Sequence, residues 1–135
     1  MAMVACPFQT PCFVRDDERG TFIEVVNTGP WETVIVGRMK AGAVMGNHYH
    51  KKTRIFLFLT EGSATVDVVR VATGSRRRCD LPASRGLFLD PGEAHAIRFR
   101  EDSRFVLLKS RRYEETDSDT FPYVVANAGS VCGVH

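Results

Sequence analysis

The stretch MGNHYHKK, Met45 to Lys52, holds two of the four histidines of the chain, and a third stands in PGEAH at His95. Neutral imidazole nitrogens bind zinc, iron, nickel or copper. The same groups move protons near neutral pH, because their unperturbed pKa is about 6.5. In a strand, residues i and i+2 project to one face, so His48 and His50 point together and Tyr49 points away. Three readings are open at this point: a metal site on His48, His50 and His95, an acid/base site, or incidental imidazoles. His135 is the last residue and is read as bland, since chain ends are usually mobile.

Three imidazoles converge only if rigid elements carry them, and this sequence supplies strands. No amphipathic helix of ten or more residues is visible. The runs TFIEVV, ETVIVGRM, RIFLFLT, SATVDVVRV, GLFLD, HAIRF, RFVLLKS and YVV are rich in Val, Ile, Phe and Thr. Gly, Pro, Asp, Asn and Ser fill the gaps between them. Many short strands at close spacing predict an antiparallel sandwich or barrel. SRRRC, Ser75 to Cys79, is expected at a solvated hairpin tip. RIFLFLT is apolar in both phases, Phe56 and Phe58 on one face and Ile55, Leu57 and Leu59 on the other. One face meets the interior. The other meets either more of the same chain or a second copy, so a homodimer is expected on one of these alternatives.

The remaining composition bounds the function. The 135 residues suit one domain, spanning 1–135 with a core at about 20–125 and a mobile C-terminal tail. A net charge of +2 is too small for a chain-wide nucleic-acid footprint, so no nucleic-acid partner is expected. No secretory signal or membrane span is visible, which predicts a cytoplasmic protein without a membrane partner. Cys6, Cys12, Cys79 and Cys132 are scattered and form no CxxC, as free thiols in a reducing compartment would be.

The spacing around the histidines resembles the cupin superfamily. Gly42, the five residues AVMGN, and His48-Tyr49-His50 follow the first cupin motif, with Gly62 closing it. GLFLDPGEAH, with Gly86, Pro91, Gly92 and His95, is similar to the second. The resemblance implies an all-β, single-domain cupin jelly roll, a double-stranded β-helix barrel. Two departures stand out. Ile55 occupies the position where the family carries a glutamate ligand, with Arg54 just before it. The second motif is one residue short, and Phe99 stands where asparagine is usual. The family's ligand set is thereby reduced to His48, His50 and His95, which could hold a divalent Zn, Fe or Ni. Cationic Arg54 beside them would oppose it.

DERGTFIEV, the HYHKK segment with FLFLTEGSATVDV, and the tail RRYEETDSDTFPYVV extend the resemblance to small sugar-nucleotide epimerases and 3,4-ketoisomerases of the superfamily. That resemblance implies proton transfer beside a ketone on a keto-deoxysugar nucleotide or similar small carbonyl compound. His48 and His50 are the candidate catalytic pair, one removing and one returning the proton, and His95 completes the cavity. Lys51, Lys52 and Arg54 are expected to keep the imidazoles neutral and basic. Tyr113 is a candidate acid and substrate contact. Arg38, Lys40 and Arg98 are candidates for the substrate diphosphate, since cationic side chains match phosphate oxygens; a solvated side chain is the alternative for each. The rival readings are a metal-dependent three-His oxygenase or cyclase and a non-catalytic small-molecule binding module.

Overall fold

The computed structural model describes residues 4, 5 and 8–126; Cys6, Cys132, His135 and most of the C-terminal tail lie outside them. Among the described residues twelve strands alternate with turns, and one short 3-10 turn, Glu115–Asp117, is the only helical element. The strands are β1 (Val4–Ala5), β2 (Phe13–Asp17), β3 (Gly20–Glu24), β4 (Thr33–Met39), β5 (Val44–Tyr49) and β6 (Ile55–Glu61). Then come β7 (Ser63–Arg70), β8 (Arg76–Pro82), β9 (Arg85–Leu89), β10 (Glu93–Phe99), β11 (Ser103–Lys109) and β12 (Phe121–Pro122). The larger sheet runs β1-β8-β7-β10-β5-β12, the smaller β4-β11-β6-β9, and β2 pairs with β3 as a separate hairpin. This is the all-β cupin jelly roll, two facing sheets with the core between them. Among the described residues no helix is long and apolar enough to cross a membrane.

Strand parity explains the core. Ile55, Leu57 and Leu59 of β6 point inward and pack with Val66, Val68, Leu81, Leu87, Ile97, Phe99 and Leu107. Phe56 and Phe58, in the opposite phase, pack on the outer face of the small sheet with Leu108, Val106, Phe88, Val25, Val26 and Trp31. The second face of RIFLFLT is therefore covered by the same chain, through the segment between β3 and β4. The arginine run corrects an expectation. Arg76, Arg77 and Arg78 are not a hairpin tip but the start of β8, paired in register with Val69, Val68 and Asp67 of β7. The physical reason is charge complementarity across strands. The Arg78 side chain donates to Asp67 at 2.7 Å, and Arg77 donates to the buried carboxylate of Glu93.

Candidate active site

The two histidines of β5 owe their direction to a bulge. Across β10, Ile97 faces Met45 and Ala96 faces Gly46, but His95 faces His48. One step along β10 therefore matches two along β5, and the extra residue is Asn47. Gly46 and Asn47 both take positive φ, 102° and 57°. The bulge changes the inward phase, so Met45 and His48 both face the interior and His50 follows. A Cβ on Gly46 would lie 2.6 Å from the His95 carbonyl oxygen, so only glycine fits. Asn47 is buried, and its Oδ1 accepts hydrogen bonds from the amides of Val125 (2.8 Å) and Ala126 (3.0 Å). This ties the C-terminal segment to the bulge.

The three imidazoles meet inside the barrel. Ring centroids are 4.8 Å apart for His48–His95, 4.9 Å for His48–His50 and 5.9 Å for His50–His95. All three are buried, and one nitrogen from each lies within 4.8 Å of the others. Backbone carbonyls set two of the tautomers. His50 Nδ1–H donates to the Asp119 carbonyl at 2.8 Å, and His95 Nδ1–H donates to the Glu93 carbonyl at 3.2 Å. A carbonyl oxygen only accepts, so each neutral ring carries its proton on Nδ1 and keeps a lone pair on Nε2. Among the described residues, His50 Nε2 is buried and has no hydrogen-bond partner.

Burial pushes the His95 imidazole down to about 3; His48 and His50 add to this, the hydrogen bond to Glu93 opposes it, and Lys109 lowers it further. Burial also lowers His50, against the hydrogen bond to Asp119, with Lys109 lowering it again. The neutral state therefore has a different cause from the one expected. Lys51, Lys52 and Arg54 are exposed. Arg54 lies over the Phe88 ring and pairs with Asp90 at 2.8 Å, outside the barrel. Desolvation and one buried lysine do the work assigned to them.

A cavity of about 350 Å³ opens beside His48 and His95, lined otherwise by apolar residues such as Met45, Ile55, Ile97 and Leu107, and by Lys109. That volume suits a small ring compound. On the other side, His50 borders a narrow polar cleft with Thr53, Lys109, Arg111, Arg112 and Tyr113. Asp119 shapes this cleft. Burial raises its carboxyl, but hydrogen bonds from Thr53 Oγ1–H and the amides of Lys52, Lys51 and Thr53 outweigh that and hold it below its usual value.

Of the residues singled out in the sequence, the structure unites His48, His50 and His95, and it brings Tyr113 to the cleft beside His50. It does not bring Arg38, Lys40 or Arg98 there. Arg38 and Lys40 take the outward phase of β4 and its continuation, opposite to Ile35 and Met39, which line the cavity. Arg98 follows the cavity-lining Ile97 and takes the opposite face of β10. Sequence reasoning missed Asn47, Lys109 and Asp119. Lys109 left a visible signal, because it falls on the inward phase of RFVLLKS with Phe105 and Leu107. Asp119 left none, since its partners are 66 to 69 residues away.

The donor set fits a three-histidine metal centre in kind. Zinc at about 2.1 Å from each nitrogen needs nitrogens about 3.4 Å apart, so a set spread up to 4.8 Å must contract. Its charge fits less well. Ile55 supplies no carboxylate, and the buried cation Lys109 shares the cavity wall.

The profile of the polysaccharide biosynthesis C-terminal domain matches residues 15–121. The chain belongs to that family. No curated protein sequence matches the chain. Several solved structures share the fold of this polysaccharide biosynthesis C-terminal domain. One is ChmJ, a 3'-monoepimerase from Streptomyces bikiniensis solved with dTDP-quinovose: 21% identity, TM-score 0.71, covering 86% of this chain and 70% of that one. Another is the rmlC epimerase of Mycobacterium tuberculosis: 22% identity, TM-score 0.70, covering 81% and 64%. A third is the capsular polysaccharide assembling protein CapF from Staphylococcus aureus: 20% identity, TM-score 0.65, covering 88% of this chain. The chain spans 35% of the length of CapF. At these identities the likeness shows the shared fold.

Proposed function

We propose that this domain is an isomerase or epimerase that moves a proton beside the ketone of a keto-deoxysugar nucleotide or a similar small carbonyl compound. The observation that carries the reading is the pair of buried, neutral imidazoles, His50 and His95, whose Nε2 lone pairs are left by Nδ1–H bonds to backbone carbonyls. Such rings are unprotonated at neutral pH and keep a lone pair free to accept a proton. His48 and His50, on adjacent inward positions, divide the labour of removing and returning the proton, and His95 backs them. The sugar ring occupies the apolar cavity. The phosphates meet Arg111 and Arg112 at the polar cleft, where Tyr113 is the candidate acid. The fold shared with the 3'-monoepimerase and the rmlC epimerase supports this choice of substrate class. We read the working form as a cytoplasmic homodimer; the exposed thiol of Cys12 suits a reducing compartment.

The test is deuterium uptake from heavy water into dTDP-4-keto-6-deoxyglucose, followed by mass spectrometry. Wild-type protein is expected to label the carbon beside the ketone. The double variant His48→Ala/His50→Ala is expected to lose a factor of about 10²–10⁴. Unchanged uptake in the double variant would refute the assignment. A second reading rests on the closeness of the three nitrogens: they would hold zinc, iron or nickel, which would supply Lewis-acid activation of a substrate oxygen. Metal analysis of the same preparations decides it. About one histidine-dependent ion per chain would favour that reading.

A further inference from the structure

The inward phase of β11 runs Ser103, Phe105, Leu107, Lys109, and all four are buried. Lys109 is the odd member. A lysine at such a position is rare, because its ammonium loses hydration. It sits 5% exposed where β11 closes on its neighbours, directly opposite Ile55 of β6. Ile55 is the position at which the cupin pattern would place a carboxylate. Relative to that pattern, this chain carries an aliphatic group there and a lysine on the adjacent strand. Lys109 also lines both compartments, the apolar cavity with His48 and His95 and the polar cleft with His50 and Tyr113. The lowering of both His50 and His95 by Lys109 agrees with that closeness.

We infer that Lys109 is a further catalytic residue, donating an N–H to the substrate carbonyl oxygen and stabilising the enolate that forms there. This rests on the proposed proton-transfer reading. In the step, a histidine Nε2 takes the proton from the carbon beside the ketone. The C–H electron pair becomes the carbon–carbon double bond, and the carbonyl π pair moves to the oxygen. Lys109 faces that oxygen, and reprotonation of the carbon reverses the flow. A fixed donor aimed at developing charge in a dry pocket is commonly worth a factor of about 10²–10³ in rate. The same ammonium makes the cavity a receptor for small planar anions.

The experiment compares wild type with Lys109→Met, which keeps the stem and removes the charge, and with Lys109→Arg. Two readouts are used on protein whose thermal melt shows it folded. The first is the rate of deuterium uptake, with kcat and KM separated. The second is oxalate, a planar enolate mimic, titrated against the histidine imidazole resonances of metal-free protein. Lys109→Met is expected to lower kcat about 100-fold with little change in KM, and to weaken oxalate at least about 10-fold. Lys109→Arg is expected to keep much of the oxalate affinity. If Lys109→Met does not fold, Lys109→Arg and Lys109→Gln carry the comparison. Wild-type rates and wild-type oxalate affinity in the charge-removed variant overturn the inference while leaving the functional reading intact. Lys109-dependent oxalate binding without any wild-type exchange leaves the anion site standing and removes the functional reading. A borohydride-trapped adduct on Lys109 overturns the electrostatic role, since the lysine would then be a nucleophile.

Discussion

His95 lies at the centre of the site, fully enclosed, with its proton fixed on Nδ1 by the Glu93 carbonyl. Holding it neutral has a consequence for stability. Its pKa falls from an ordinary value of 6.5 to about 3 on folding. As pH drops below about 6.5, the unfolded chain binds a proton that the folded chain does not, so stability declines with falling pH. The slope is up to about 1.4 kcal/mol per pH unit for one such group. His50 is lowered too and adds in the same window. Above pH 6.5 neither contributes a slope. Denaturant midpoints are therefore expected to be flat from about pH 8 to 7 and to fall by about 2 kcal/mol or more by pH 5. His95→Gln is expected to flatten that fall. Asp119 has its carboxyl held low and titrates below this window, so the two effects separate. A level profile down to pH 5 would contradict the burial that keeps these imidazoles neutral.

At the level of strands, the spacing of HxH told which residues share a face, and it did so correctly for His48, His50 and Tyr49. It could not tell which face. That depends on the bulge at Gly46-Asn47, an irregularity that strand periodicity does not encode. Seven of the eight apolar runs became strands, because alternation and β-branched content report burial locally. YVV did not: residues 123–125 are irregular, and the short β12 forms just before them and pairs with β5. β8 was hidden because arginines mimic a solvated tip. Their partners Asp67 and Glu93 sit on other strands, so the compensation is visible only in three dimensions. Gly46→Ala tests the bulge. The added methyl would strike the His95 carbonyl oxygen at 2.6 Å and also strain a φ of 102°. A loss of about 2–3 kcal/mol is expected, with the histidine activity reduced out of proportion. Gly92→Ala is the matched comparison, since its φ is also positive but its Cβ would meet nothing within 4 Å. It should lose only about 1–2 kcal/mol. Equal losses at the two positions would mean the bulge does not set the direction of β5.

The whole molecule leaves two apolar strips exposed among the described residues, on the β2–β3 hairpin and on β4. In the β2–β3 hairpin, Phe13, Val14 and Phe22 are about half exposed and Ile23 is 37% exposed. The register places Arg15 opposite Phe22 and Val14 opposite Ile23, so both faces of the hairpin carry apolar groups. A two-stranded ribbon with two wet apolar faces is marginal in water, and its open edges invite pairing. It forms a two-stranded sheet of its own, and the second face of β6 is already filled by Val25, Val26 and Trp31. Val34 and Val36 on the outer face of edge strand β4 add a second apolar strip. A second copy that receives the hairpin would cover both, which is why we take the homodimer as the working form. Sedimentation velocity is expected to show a dimer at micromolar concentration, with a melting temperature that rises with protein concentration. Replacing Phe13 and Phe22 by serine together is expected to raise the dimer dissociation constant at least about 10-fold, as burial of two aromatic side chains would require. The same double substitution should leave the monomer's own core intact, because neither ring belongs to it. A chain that sediments as a monomer at every concentration, with a melt independent of dilution, would show that the hairpin is stable on its own and that the two valines of β4 need no cover.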